Sequence, residues 1–471
     1  MSGFVPPYPA PMKDRGGWLE LLLRPAKYLL ARRCSIAALA ERSYSMHLGA
    51  VGLPHKQFVL ANQPELVQRI LVDEAADFPK NDMGFDMMES LIGDSIFVSN
   101  GETWKRQRRM MNPAFELARI KTVFAMMVAA VDASIRRLDA AAGRGEIEID
   151  AEMMHVTADI IFRTLFSRAF STDEARAIYA AFARFQDEAL AFGLAKAIGL
   201  PGIFSWAGMR RAKKAAAEIR AIVDAAIKIR YDSFHNGEPQ TRDDILQALV
   251  SVKDPETDAH FTFPELCEQI AMLFLAGHET SASALSFAIY LIAMDATVQS
   301  RMFEEVREVL GDRPPAFSDI KRLAYIRDVF DETLRLYPPV PFLPRTAAKT
   351  CPMRGKTVQK GAMVTVSPWL MQRHRRLWEQ PDVFDPARFA DPSTAEARRT
   401  AYLPFSKGPR VCLGASFALQ EAVLVLALLV QRYRIEPVPG FVPEPAARVT
   451  LRSKNGVKVR LVRRDGSGAA H

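Results

Sequence analysis

Four cysteines in 471 residues, at positions 34, 267, 351 and 412, leave little material for a disulfide framework, and no Cys-x-x-Cys pair is present to begin a zinc site. Such usage suits a reducing, cytoplasmic setting. Also missing is a run of roughly 20 uninterrupted apolar residues, the length a bilayer-spanning helix needs. The first apolar stretch is broken by Glu20, Arg24, Pro25 and Lys27, so the reading is a chain with neither signal peptide nor transmembrane anchor. No basic stripe interleaved with stacking aromatics occurs, which argues against nucleic acid as a partner. Repeats and long low-complexity linkers are absent too. What is left is an ordinary globular composition, with 49% hydrophobic and 25% charged residues, enough for a large core. The 62 basic against 54 acidic residues give a net charge of +8. That surplus is compatible with nucleic acid, anionic lipid or an acidic protein partner, and by itself selects none.

The patterning predicts a mostly helical single domain with a small β-rich subregion. Residues 1–45 read as a proline-rich start (Pro6, Pro7, Pro9, Pro11) and a surface helix over Trp18–Arg33. Packing on the same protein or grazing a membrane surface both fit that helix. Residues 46–463 read as the main domain and 464–471 as a frayed tail. Met46–Leu60 reads as a hairpin, followed by a helix over Pro64–Asp73 opened by proline. Helical spacing recurs over Gly101–Met111, Leu117–Ala142, Ala151–Ser167, Thr172–Phe192 and Met209–His235. Thr262-Phe263-Pro264-Glu265 is a capping box opening a helix without a breaker as far as Met294. Helices over Val298–Gly311 and Ile320–Leu336 come next. Short β-rich pieces (Thr346–Ala348, Met363–Val366) precede a strongly apolar helix over Ala415–Arg432, and Arg432–Pro437 and Gly456–Leu461 read as closing strands.

One cysteine stands in an unusual place. Cys412 lies within Phe405-Ser406-Lys407-Gly408-Pro409-Arg410-Val411-Cys412-Leu413-Gly414, just ahead of the Ala415–Arg432 helix. A thiol at a helix N-terminus beside a guanidinium is pushed toward thiolate, the form that binds metals. The flanking glycines allow a tight backbone turn and close approach of a flat cofactor. A buried structural cysteine in a glycine-bearing turn is the plainer alternative. On the long helix, Ala276-Gly277-His278-Glu279-Thr280 puts a glycine in mid-helix, at a cost of about 0.5–1 kcal/mol relative to alanine. Thr280 can return its hydroxyl to a carbonyl one turn back or offer it to a bound molecule, and Glu279 is a proton source in an apolar segment. Glu332 and Arg335 share a helix face at i, i+3, as many ordinary surface pairs do.

The decapeptide resembles the heme-binding loop of the cytochrome P450 family, Phe-x-x-Gly-x-Arg-x-Cys-x-Gly, at every fixed position, and the resemblance extends over nearly the whole chain. It implies the P450 fold, heme b (iron protoporphyrin IX) as cofactor and Cys412 as the axial iron ligand. It also implies a soluble, bacterial-type monooxygenase that inserts one atom of O2 into an apolar small molecule. The 276–280 segment is similar to the family's oxygen-binding motif, implying that Gly277 makes room for dioxygen, Thr280 hydrogen-bonds it and Glu279 feeds protons; His278 fills the variable position and reads as structural. Glu332, Arg335 and Arg388 (in Pro386-Ala387-Arg388-Phe389) match the family's Glu-x-x-Arg and Pro-x-Arg-Phe lock, although Ala387 departs from the glutamate often found there. Trp104 and Arg108 match Trp-x-x-x-Arg, and with Arg345 and Arg410 they take the propionate-binding positions; Phe405 opens the cysteine loop. Phe97, Ala276 and Val340 are the expected pocket residues.

With no flavin or nicotinamide domain recognisable in the chain, electrons are expected from a ferredoxin-type donor served by an NAD(P)H-dependent reductase. Lys105, Arg106, Arg109, Arg373, Arg376 and Lys407 are candidates for a cationic docking patch, or for a merely solvated basic surface. Two rivals stay open on the sequence: a peroxide-using or isomerising heme-thiolate enzyme, and a non-catalytic heme or ligand carrier.

Overall fold

In the computed structural model of the protein, the structure describes residues 3–12, 34–53, 56–81, 89–169, 181, 184–185, 206–447 and 450–464. The helix expected over Trp18–Arg33, all but three residues of the one expected over Thr172–Phe192, and the tail beyond Arg464 lie outside the described residues.

The eight longest helices among the described residues are α1 (Gly101–Met111), α2 (Leu117–Ala141), α3 (Ile149–Phe166), α4 (Trp206–His235), α5 (Phe263–Met294), α6 (Ala296–Val309), α7 (Ala324–Leu336) and α8 (Ala415–Arg432). Local signals set their ends. Ahead of α5 the Thr262 N–H donates to Glu265 Oε2 at 2.9 Å and the Glu265 N–H returns to Thr262 Oγ1 at 3.5 Å, the capping box read from the sequence. Its 32 residues give a rod of about 48 Å. The Asp295 carboxylate then accepts the Thr297 and Val298 N–H groups and opens α6. The helix expected from Ile320 is in fact two pieces, a 3₁₀ segment over Phe317–Arg322 and then α7. The reason is a second start signal that comes from another helix. Glu305 of α6 accepts the Tyr325 and Ile326 N–H groups at 2.8 and 3.0 Å, satisfying donors that a helix start leaves open.

Eleven short strands are described: β1 (Leu48–Leu53), β2 (Lys56–Ala61), β3 (Glu146–Glu148), β4 (Leu343–Thr346), β5 (Cys351–Met353), β6 (Lys356–Val358), β7 (Met363–Val366), β8 (Tyr433–Pro437), β9 (Pro445–Ala447), β10 (Leu451–Ser453) and β11 (Lys458–Arg463). The main sheet runs β1-β2-β7-β4, with β2 parallel to β7 and the other pairs antiparallel. β4 begins three residues earlier than the expected Thr346–Ala348, because an edge strand tolerates Pro344, which lacks an N–H. Val59 and Ala61 of β2 and Val364 and Val366 of β7 point into one apolar core together with Ile70, Leu71, Trp378 and Leu403.

The chain divides into two compact units, neither contiguous in sequence. One comprises Met1–Pro79, Val131–Thr157 and Glu279–His471, and carries all the described strands with α6, α7 and α8. The other comprises Lys80–Ala130 and Ala158–His278, and among its described residues the regular structure is helical, including α1 and α4. Of the described helices, α8 is by itself long and apolar enough to cross a bilayer. Its residues Ala422–Val430 are all buried inside the first unit, as befits a core helix.

Candidate active site

Cys412 stands three residues ahead of α8, at the end of a loop that doubles back on itself. Ser406 and Gly408 take positive φ values of 65° and 75°. The Cys412 N–H closes the neck of the loop on the Phe405 carbonyl at 2.9 Å, and the Val411 N–H donates to the Gly408 carbonyl at 3.0 Å. Gly408 rests directly on the backbone of the π-helical segment Arg69–Asp73: a Cβ there would lie 2.0 Å from the Leu71 carbonyl oxygen and 3.2 Å from Val72 Cα. Glycine is required by the conformation and by the contact. Gly408→Ala is expected to destabilise the protein by about 1–3 kcal/mol, read as a lower melting temperature. An unchanged melting temperature would show that the loop lifts off Leu71 without cost.

Among the four cysteines Cys412 is exposed, whereas Cys34, Cys267 and Cys351 are buried. Burial, aided by Asp224, pushes the Cys267 thiol up to about 12. A thiolate at neutral pH is therefore not to be sought there. Phe405 and Arg410, both in the loop, are half-buried.

Behind the loop the structure brings Glu332, Arg335 and Arg388 together. Arg335 and Glu332 are both 0% exposed and pair through two bonds, Nε to Oε2 at 2.6 Å and Nη2 to Oε1 at 2.8 Å. Arg335 also donates to the carbonyls of Gln372, Pro381 and Val383. Arg388 approaches Glu332 Oε1 at 3.5 Å, and the Asp385 N–H donates to the same oxygen at 3.0 Å. The sequence reading missed Gln372, which ties this cluster to the loop. Its amide donates to the Leu334 and Arg335 carbonyls, and its Oε1 accepts the Leu403 N–H at 2.8 Å. A buried glutamine saturated by backbone groups has no local sequence signal.

Arg345, on β4, is 5% exposed. Its Nη1 donates to the neighbouring Pro344 carbonyl at 2.9 Å, and no carboxylate among the described residues pairs with it. Burial pulls the guanidinium down to about 10, since a desolvated cation lacks its hydration. Such a group calls for an anion. Glu279, on α5, is 6% exposed and accepts from Thr450 Oγ1, while Arg452 Nη2 lies 2.8 Å from the same Oε1. Thr280 beside it and Val340 at the Pro338–Val340 turn are half-buried. Glu421 of α8 is another acid that the sequence reading passed over. Burial pushes its carboxyl up to about 8, against the opposing hydrogen bond with Ser281.

The second unit holds the remaining expected residues. Trp104 and Arg108, both half-buried, lie at i, i+4 on one face of α1. Phe97 is half-buried, with the Lys80 ammonium 3.8 Å above its ring centroid. Ala276 is half-buried. Gly277 has a packing reason of its own: a Cβ there would meet Ile161 of α3 at 3.3 Å. His278 is buried, its Nδ1–H donates to the Phe274 carbonyl at 2.7 Å, and its ring stacks on Phe274. Those contacts suit a structural histidine.

Residues 41–459 match the cytochrome P450 family. The chain belongs to that family. It is 32% identical over 90% of its length to cyclooctatin synthase of Streptomyces melanosporofaciens, covering 90% of that protein. It is 34% identical over 81% of its length to cyclooctat-9-en-7-ol 5-monooxygenase of the same organism, covering 81%. A cytokinin hydroxylase of Arabidopsis thaliana is 29% identical over 88% of the chain and 85% of the plant protein. The P450 family is a heme-thiolate family, and the chain is a P450 monooxygenase acting on small molecules with heme b as cofactor. The residues present fit that cofactor: an exposed thiol at a helix start, and a buried guanidinium on β4 without a carboxylate partner among the described residues.

Four of the six expected docking cations are paired or buried. Arg106 pairs with Glu265 at 2.6 Å, and Arg109 with Asp254 at 3.1 Å and Glu256 at 2.8 Å. Arg373 is 1% exposed, with its guanidinium carbon 3.7 Å from the Trp369 ring centroid, so it belongs to the core and to no docking surface. Lys105 is exposed but paired with Glu102 at 2.7 Å.

Proposed function

We propose that Cys412 would hold the heme iron through its thiolate, that Glu279 and Thr280 handle protons, and that a ferredoxin-type protein supplies the electrons for hydroxylating an apolar small molecule. The observation that carries this reading is the Phe405–Cys412 loop, closed at its neck and pressed onto Leu71, with its exposed thiol at the start of α8. Heme iron, when bound, supplies the dioxygen chemistry by which one oxygen atom enters the substrate and the other leaves as water. Arg345 is the cation best suited to a propionate, because it is buried without a carboxylate of its own among the described residues. By resemblance to the family's motifs Arg410, Trp104 and Arg108 take the same task. Phe405 holds the neck of the loop through its carbonyl, and Gly277 leaves room on the helix. Phe97, Ala276 and Val340 are proposed to touch substrate. The names of the relatives, one of which acts on cyclooctat-9-en-7-ol, support an apolar alkenol or a molecule like it.

The donor proposed with this reading is a separate protein served by its own NAD(P)H-dependent reductase. Arg376, Arg399 and Lys407 line a surface groove in the first unit together with Glu65, Asp73 and Glu396. That mixed lining favours a donor read by charge pattern over one drawn by charge of a single sign. A cytoplasmic setting is proposed with the same donor, on the sparse cysteines.

The test is Thr280→Ala. With a reductase–ferredoxin pair the variant is expected to consume NAD(P)H while forming about tenfold less product, or lower still, with the balance appearing as hydrogen peroxide. Product yield per NAD(P)H equal to wild type would remove Thr280 from proton handling.

A further inference from the structure

Two features of α5 lie a single residue apart yet face different ways. Glu279 and Ser283, at i and i+4, share one helix face, and consecutive Glu279 and Thr280 do not. The shared face is covered by the C-terminal hairpin. Ser283 Oγ–H donates to the Leu451 carbonyl, the Leu451 N–H donates to the Pro339 carbonyl at 2.9 Å, and Leu451 itself is 0% exposed. On either side of Leu451, Thr450 Oγ1–H donates to Glu279 Oε1 and Arg452 Nη2 lies 2.8 Å from that oxygen. Three consecutive residues thus grip the carboxylate, its helix and the turn that leads into Val340.

We propose that Thr450 and Arg452 are positioning residues for Glu279: from the β9–β10 hairpin, which Leu451 ties to the Pro339–Val340 turn, they hold its carboxylate on the hairpin face of α5, turned from the Thr280 face. A carboxylate only 6% exposed needs compensating donors, and these two supply them. Arg452 keeps 38% of its side chain in solvent, so it links the buried acid to the outside. Before Glu279 can pass a proton toward Thr280, its carboxylate must leave Arg452 and take up a proton from solvent, and the arginine sets how often that happens.

This inference rests on the proton-handling reading of Glu279, and its test separates the two. Arg452→Leu, Thr450→Val, Arg452→Lys, Glu279→Gln and the Glu279→Gln/Arg452→Leu double variant are compared for product per NAD(P)H with the same donor pair. In parallel, difference infrared spectra of the resting holoenzyme identify the Glu279 carboxylate bands by their loss in Glu279→Gln. The expected result is a change of threefold or more in coupling for Arg452→Leu and a smaller one for Thr450→Val. Arg452→Lys should restore most of it, the double variant should be no worse than Glu279→Gln, and the Glu279 bands should shift in Arg452→Leu. Wild-type coupling in Arg452→Leu, with Glu279→Gln uncoupled, overturns the positioning role and leaves the relay standing. Should Glu279→Gln itself couple like wild type, the relay reading falls, and the infrared bands decide the positioning role: shifted bands uphold it, unshifted bands overturn it.

Discussion

Cys412→Ser is expected to abolish the red-shifted Soret band of the reduced carbon monoxide complex, leaving at most a band at the position of a heme without a thiolate. A thiolate donates electron density to iron that a neutral serine hydroxyl does not. The loop itself should survive the change, because it is closed by the backbone N–H of residue 412 on the Phe405 carbonyl, which serine retains. Stability of the heme-free protein should therefore stay within about 0.5 kcal/mol of wild type, checked by thermal melting without heme. No other cysteine can substitute without rearrangement, because Cys34, Cys267 and Cys351 are all buried. An unchanged Soret band in a folded variant would falsify ligation by Cys412.

The loop was legible because its requirements are local. Gly408 carries a positive φ and meets the Leu71 backbone, so the contact demands glycine and the demand shows as a motif. Ser406 has the same backbone sign without being glycine, and nothing in its type announces it. The capping box at Thr262 and Glu265 was visible for the same reason: both partners lie within one turn. The same glutamate also binds Arg106, a residue 159 positions away, and that was not visible. Distance along the chain explains the other misses. α7 starts where Glu305 caps it from α6. Arg373, a candidate docking cation on the sequence, faces Trp369 in the core. Glu279 was singled out from its neighbours in sequence, while its partners Thr450 and Arg452 come from a three-residue strand and the residue before it, far along the chain. Gly277 illustrates the reverse hazard. Its proposed role is room for a ligand, while the structure shows close packing against Ile161 that any helix pair could ask for.

The cluster at Glu332 gives the second large effect. Glu332→Ala is expected to yield protein with little or no bound heme, read as a collapsed ratio of Soret to protein absorbance. The alanine removes both charge-assisted bonds from Arg335, the counter-charge of Arg388 and the acceptor of the Asp385 N–H in one step. Breaking a buried pair by removing one partner costs about 3–5 kcal/mol, because the remaining charge stays desolvated. Against a total stability of about 5–15 kcal/mol for a typical domain, that is enough to unfold a weak region and severe for the whole. The damage should travel along a defined route. Arg335 holds the carbonyls of Gln372, Pro381 and Val383, and Gln372 holds the Leu403 N–H just ahead of the cysteine loop. Glu332→Gln keeps an acceptor for Asp385 while removing the charge, so it should fall between wild type and alanine in both melting temperature and heme content. Gln372→Ala provides the separate check, since it cuts the link to Leu403 and two backbone bonds on α7 but removes no charge from the ion cluster: its heme content should fall while the Glu332–Arg335 pair stays intact. Wild-type heme content and melting temperature in Glu332→Ala would show that the cluster is dispensable, and that Arg335 is held well enough by its three carbonyls alone.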